Sequence, residues 1–319
     1  MKAIVYPHYG SPDVLQLQEV EKPTPIDSQV LVKVHAASVN ALDYRPLMSP
    51  LMARLVRGGF LKPKDTSIGV DVAGIVEAVG NNVTRFKVGD AVFGVTSGAF
   101  AEYALAGESK LALKPDNISF ESAAAVPVAG FTALQGLRDD ANLQAGQKVL
   151  INGAGGGVGT VAVQIAKAFG AEVTAVCGTH NLEVMRSLEA DHVIDYTKED
   201  FTKSPQRYDV IFAVNGYHPI MDYRRALTPT GTYISAGGTL RQVLEGMILG
   251  KLISTFGTKK LSFMGISQAD PKDLLVLQEM LAAGKIVSVI DRCYPLSETV
   301  EAIRYLVQGH AKGKVVITV

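Results

Sequence analysis

Apolar and polar positions along this chain follow three successive rhythms. Up to about residue 120 the texture is that of short strands and turns. Residues 29–37 (QVLVKVHAA) alternate apolar and polar side chains, the pattern of a strand with one buried face. Residues 70–79 form an apolar run containing glycine, residues 85–94 (RFKVGDAVFG) read as a turn entering a strand, and residues 98–106 (GAFAEYALA) supply another. Between them, residues 46–64 have no clean period and hold three prolines. Such an insertion forms a pocket wall or lid, or is a plain surface loop.

From residue 120 strands and helices alternate. Ser119-Phe120-Glu121-Ser122 ahead of an Ala-rich segment predicts a capped helix start. A strand at 148–152 leads into a helix at 158–169, a strand at 172–177 into a helix at 182–188, and a strand at 209–214 into a helix at 220–227. Further strands are predicted at 232–236 and 261–266. This βαβ order predicts a parallel sheet covered on both faces. Residues 271–319 offer two amphipathic helices and a closing GKVVITV that alternates like a strand. A strand at the extreme end can pair with the β-rich beginning. The expected layout is therefore a β-rich domain of residues 1–122 and 268–319, interrupted by an α/β domain of residues 123–267.

Composition agrees with two folded domains. The chain has 319 residues, 47% hydrophobic and 19% charged, beyond the usual size of one domain. Lys+Arg and Asp+Glu both number 31, which gives no global electrostatic reason to bind nucleic acid or an anionic membrane. The opening MKAIVYPHYG lacks a basic stretch followed by an apolar core, so no signal peptide is expected. Cys177 and Cys293, far apart, offer neither a disulfide framework nor a Cys-rich zinc site. Two free thiols point to the reducing cytoplasm.

The sharpest chemical signal is KVLINGAGGGVG at 148–159, followed by TVAVQIAKAFGAEVTAV. A hydrophobic strand ends in a glycine turn that opens an amphipathic helix. Small residues are needed there because the turn is tight, the backbone must approach a pyrophosphate, and helix must pack on strand. The fingerprint reads A-x-G-x-x-G, with Ala154 at the first position and Gly156 and Gly159 at the others. Gly155, Gly156, Gly157, Val158 and Gly159 are the candidates for the dinucleotide cradle. The second strand ends in CGTHN without an acid to hold ribose hydroxyls. A 2′-phosphate tolerates that neutral end, so NADPH is expected over NADH.

Six stretches in order (AASVNALDYR, SIGVDVAGIVEAVGNNVTRFKVGDAVFG, FAEYALA, AAAVPVAGFTAL, INGAGGGVG and AKGKVVI) resemble the medium-chain dehydrogenase/reductase superfamily. The likeness is to its zinc-independent quinone oxidoreductase and alkenal reductase branch. It implies a Rossmann-type doubly wound parallel sheet inserted into a β-rich GroES-like catalytic domain. Where zinc-dependent relatives have a Gly-His-Glu motif and two cysteine ligands, this chain has Gly69-Val70-Asp71, Asn40 and Ala129. No metal is therefore expected.

The resemblance also distributes roles. Gly156 to Gly159 face the pyrophosphate, with Gly178, Thr179 and His180 near the 2′-phosphate and Tyr196 as an adenosine-phosphate contact. Gly237, Gly238, Thr132, Met264 and Gly265 match nicotinamide-side positions, and Lys312 matches a basic position near the cofactor; Ala213-Val214-Asn215 departs from the Asp-x-Val-Gly of relatives, with Asn215 a candidate cofactor contact. Asn40 is implied to orient the nicotinamide or ribose and Tyr44 to donate a hydrogen bond or proton, while Asp43 holds their loop. His35, His192 and His218 read as structural. A homodimer through the edge at 261–266 is implied as well.

Hydride transfer without a metal favours acceptors that activate themselves by conjugation, such as an enone, an enal or a quinone. Two alternatives remain. One is an enoyl-thioester reductase or other zinc-free carbonyl oxidoreductase, with Arg54, Arg57, Lys62 and Lys64 as a patch for a carrier phosphate. The other is a protein that binds NADPH and turns nothing over.

Overall fold

A computed structural model describes residues 1–48, 63–238, 240–309 and 311–319. The chain divides into two compact units, one of residues 1–128 and 269–319, the other of residues 129–268. The first boundary falls inside the helix Pro127–Gln135, later than residue 122, where the sequence pattern changes. Most of the irregular insertion, residues 49–62, lies outside the described residues, and with it Arg54, Arg57 and Lys62.

In the first unit, β1 (Lys2–Val5) pairs with β2 (Gln16–Glu19), apart from a seven-stranded sheet. That sheet holds β3 (Gln29–Val39), β4 (Asp71–Val79), β5 (Ala91–Val95), β6 (Tyr103–Gly107) and β7 (Leu111–Leu113). The long strand β3 pairs with both β4 and β6. Its alternation holds only from Val32 to Ala36, and Val30 to Val32 and Ala36 to Val39 are buried on both faces. This differs from the one-sided strand the alternation predicts, because β3 is an interior strand against which the helices Phe120–Ala124 and Thr299–Val307 pack.

The second unit contributes β8 (Lys148–Asn152), β9 (Glu172–Cys177), β10 (His192–Asp195), β11 (Tyr208–Ala213), β12 (Leu227–Ser235) and β13 (Lys260–Phe263). All pair in parallel, in the order β10-β9-β8-β11-β12-β13. Counted within the unit this is 3-2-1-4-5-6, the Rossmann arrangement whose order reverses beside its first strand. The central strands are buried along their length, as crossover helices on both faces require. β12 begins at Leu227, ahead of the apolar run at 232, because Leu227 pairs with Tyr208 before the register shifts. A buried cluster including Leu150, Ile211, Tyr223 and Tyr233 packs this sheet, with the two tyrosine rings 4.4 Å apart.

The remaining strands, β14 (Ile290–Pro295) and β15 (Lys314–Thr318), return to the first sheet. β15 lies antiparallel on β3, with Val315 opposite Val39 and Ile317 opposite Ala37. Ile317, Val315, Val32, Val34 and Phe100 share one buried core. Among the described residues, no helix is long and apolar enough to cross a membrane.

Candidate active site

At the end of β8, Gly153 takes φ +85°, a left-handed turn that an L side chain rarely adopts. The turn therefore falls one residue ahead of the fingerprint, which is why Ala154 is tolerated at its first position. The helix Gly157–Ala168 begins at Gly156, an N-cap with no side-chain hydrogen bond. Its first amides, from Gly157, Val158 and Gly159, have no partner inside the helix and together with its dipole form a seat for an anion.

The glycines here do different work. A Cβ on Gly159 would lie 2.3 Å from Gly153 O, and one on Gly155 would lie 2.1 Å from Asn181 Nδ2. Those two glycines let the turn pack. A Cβ on Gly156 would meet only Gly153 O, at 3.7 Å. Its open side suits close approach by a pyrophosphate. Asn181 Oδ1 is buried with no hydrogen-bond partner among the described residues, an acceptor suited to a donor group of a ligand.

The carboxyl ends of β9 and β10 hold the expected adenosine-end residues. Gly178 follows β9, and Thr179 and His180 beside it are exposed. A Cβ on Gly178 would lie 3.1 Å from His180 Cε1 and 3.4 Å from the Tyr196 hydroxyl, so both side chains converge on this glycine. The acid-free end of β9 has a neighbour that the strand's own sequence does not disclose. Asp195 pairs in register with Cys177 and accepts a hydrogen bond from Thr179 Oγ1 at 2.6 Å.

Beyond the other strands, the Asn215 amide donates to Asn152 O at 3.3 Å, which sets Asn215 against Gly153. Gly237 and Gly238 follow β12, and Gly237 lies so near Val214 O that a Cβ would come within 2.8 Å. The Met264 amide donates to Ser235 O at 3.1 Å, and Gly265 takes φ +79° in open space. Thr132 Oγ1 lies 3.1 Å from Ser267 Oγ. Asn215, Gly237, Gly238, Met264 and Gly265 thus gather where the parallel strands end, the edge at which such sheets take ligands.

In the first unit Asn40 ends β3 inside a buried polar network. Its Nδ2 donates to Ser38 O at 3.2 Å and Asp71 Oδ2 at 2.9 Å, and its Oδ1 accepts from Lys314 Nζ at 2.6 Å. Asp71 also accepts from Ser38 Oγ at 2.6 Å, the Val128 amide at 2.9 Å and Lys314 Nζ at 3.2 Å. The ion pair is almost dry, with the Lys314 side chain 5% and the Asp71 side chain 0% exposed. Asp43 Oδ2 accepts from the Asn40 amide at 2.7 Å and secures the turn into the helix Ala41–Met48, which carries Tyr44. Tyr44 is half-buried against the first unit's core.

The sequence points to Asn40, Asp43 and Tyr44 but not to Ser38 or Lys314, and Asp71 enters it only as part of the departure from a Gly-His-Glu motif. The basic position taken from AKGK was Lys312. That residue is exposed, its amide held by Asp291 Oδ2 at 2.9 Å, and the buried lysine is Lys314, two residues on. Its place at the head of an apolar closing strand is the signal that finds it. In β15 the lysine opens a run buried throughout from Lys314 to Ile317, and only a paired lysine sits in such a place.

The comparisons bear on both units. Residues 26–116 match the alcohol dehydrogenase GroES-like domain, and residues 188–317 match a family described as zinc-binding dehydrogenase. The chain is 36% identical to 2-methylene-furan-3-one reductase of Solanum lycopersicum, over 99% of its own length and 79% of the relative. It is 35% identical to the chloroplastic NADPH-dependent alkenal/one oxidoreductase of Arabidopsis thaliana, with coverage of 99% and 79%. Among solved structures, the quinone oxidoreductase of Coxiella burnetii superimposes with a TM-score of 0.86 at 30% identity, covering 100% of this chain and 99% of that one.

The chain belongs to the medium-chain dehydrogenase/reductase superfamily, in its quinone oxidoreductase branch.

The geometry of the glycine turn fits the pyrophosphate of a dinucleotide. The donor set near Asn40 is of another kind from that of the superfamily's zinc enzymes. Val70 is aliphatic, Asn40 Oδ1 already takes an ammonium proton, and four donors surround the Asp71 carboxylate. Among the described residues no three His, Cys, Asp or Glu side chains converge as metal ligands.

Proposed function

We propose that this protein reduces quinones or α,β-unsaturated carbonyls with NADPH and without zinc. The supporting observation is the open Gly156 at the head of an uncapped helix, in a chain whose relatives are named for alkenal, furanone and quinone reduction. NADPH supplies the hydride. The amides of Gly157, Val158 and Gly159 hold the pyrophosphate, while Thr179, His180 and Tyr196 surround the adenosine end. Asn215, Gly237, Gly238, Met264, Gly265 and Thr132 shape the nicotinamide side.

An acceptor of this class needs only orientation and a donor for its carbonyl oxygen, since conjugation already leaves its β-carbon electron-poor. Tyr44 is the donor in this reading, and water or its hydroxyl supplies the proton that completes reduction. The Lys314–Asn40–Asp71 network acts behind it. All three polar contacts of the Asn40 amide are internal, so Asn40 fixes the backbone that launches the Tyr44 helix. Zinc has no part, because the superfamily's ligand positions hold Asn40, Val70 and Ala129.

The protein works as a homodimer through β13 in this reading, in the reducing cytoplasm that its two unpaired thiols suit. The deciding experiment follows NADPH oxidation at 340 nm with a short alkenal and a quinone in parallel, with and without a chelator, and again with NADH. Turnover that survives chelation and favours NADPH is the expected result. NADPH binding with neither acceptor reduced would sink the reductase reading.

A further inference from the structure

Asp195 brings a negative charge to the adenosine end of the nucleotide site. Its carboxylate is only 9% exposed and is held by inward-facing protons. Thr179 Oγ1 donates to Oδ2 at 2.6 Å, and Thr197 gives Oδ1 its hydroxyl at 2.7 Å and its amide at 3.0 Å. The Thr179 hydroxyl, followed by that of Thr197, holds the acid below the usual carboxylate range, so it is ionised at neutral pH. Lys198 Nζ stands 3.8 Å away on a side chain 71% exposed, where water weakens its compensation.

A hydroxyl has one proton to give. With that of Thr179 directed at Asp195, the exposed Thr179 oxygen offers a ligand only lone pairs. A ribose 2′-hydroxyl can donate to them. A 2′-phosphate, made of acceptors, cannot, and it meets a carboxylate one hydrogen bond further in. His180 and the Tyr196 hydroxyl, which converge on Gly178, carry protons that a phosphate can accept.

We propose that Asp195, acting through Thr179, is a specificity-determining residue that restrains the preference for a 2′-phosphate and lets the site use NADH as well as NADPH. The inference rests on the reading above that a nicotinamide dinucleotide binds here, and it adds how the second nucleotide is admitted.

The test compares binding of 2′,5′-ADP and ADP by calorimetry, with the kcat/KM ratio for NADPH over NADH as a second readout. Asp195→Asn removes the charge and puts an N–H donor where one of the two carboxylate oxygens accepts, so a threonine hydroxyl proton is freed for the ligand. The affinity for 2′,5′-ADP should rise by roughly 5–10-fold at low salt, with ADP changed by less than about twofold. The NADPH over NADH ratio should move the same way. An unchanged ratio of the two affinities overturns the proposal.

Thr179→Val keeps the carboxylate and decides the matter if Asp195→Asn does not fold. It should weaken ADP and NADH while leaving 2′,5′-ADP in place. A loss confined to 2′,5′-ADP would make Thr179 a phosphate donor and overturn the proposal. If the unaltered protein binds neither nucleotide, the cofactor reading itself fails and takes this inference with it.

Discussion

Gly156 and Gly159 sit three residues apart in one turn, yet their Cβ positions face different surroundings. Gly159→Ala would drive a methyl to 2.3 Å from Gly153 O, against backbone that cannot move aside. It should lower stability by about 1–3 kcal/mol and abolish NADPH binding, as followed by urea unfolding and nucleotide titration. Gly156→Ala finds room in the free protein and should leave unfolding within about 1 kcal/mol, while weakening NADPH at least roughly tenfold. Equal effects of both on stability would refute this division. Lys314→Met leaves Asp71 buried without its cation and should cost about 3–5 kcal/mol, read as a lowered urea midpoint at unchanged slope. The glycine turn was legible because its residues are contiguous. Lys314 and Asp195 were not, since each reaches its place through strand register, Lys314 by the pairing of β15 with β3 and Asp195 by that of β10 with β9.

Elements were legible to the degree that their own residues, and not a neighbouring strand, set their limits. The helix Pro271–Ala282, capped by Asp270, and the strand β8 appear where their patterns place them. β3 outran its alternation and β12 started early, both because a neighbouring strand, not the local pattern, sets the limits. β9 allows a chemical check of burial. Its last residue, Cys177, has its thiol pushed up to about 11, by burial and then by the nearby Asp195 charge. At pH 8 only about 0.1% of such a thiol is thiolate. Native protein treated with an alkylating reagent at pH 8 should react at the exposed Cys293 and leave Cys177 intact, with Cys177 labelled only after denaturation. Mass mapping that finds Cys177 modified in native protein would show β9 open at this edge.

At the scale of the molecule, β13 is an edge strand with apolar side chains gathered beside it. Met247, Ile248 and Leu249 are 58%, 64% and 42% exposed, and their segment lies against β13 where Gly250 approaches Leu261 O. An open strand edge with a greasy rim calls for a partner. The dimer proposed here predicts that Ile248→Glu yields a monomer by light scattering with its fold retained, whereas an unaltered mass would place the interface elsewhere. The two-part division was legible because the hydrophobic period changes at about residue 120, although the units meet inside a helix that no pattern marks as a border.

The return of β15 to β3 has a consequence for how the protein is made. Residues 129–268 are continuous and have all six strands of their sheet once they leave the ribosome. The unit that holds Asn40 and Tyr44 must wait for residues 314–318, which follow the whole of the other unit, before β3 gains this neighbour and Asp71 its cation. The unit of residues 129–268 thus has all its strands before the other unit has its own. Folding of the continuous unit can therefore precede closure of the discontinuous one.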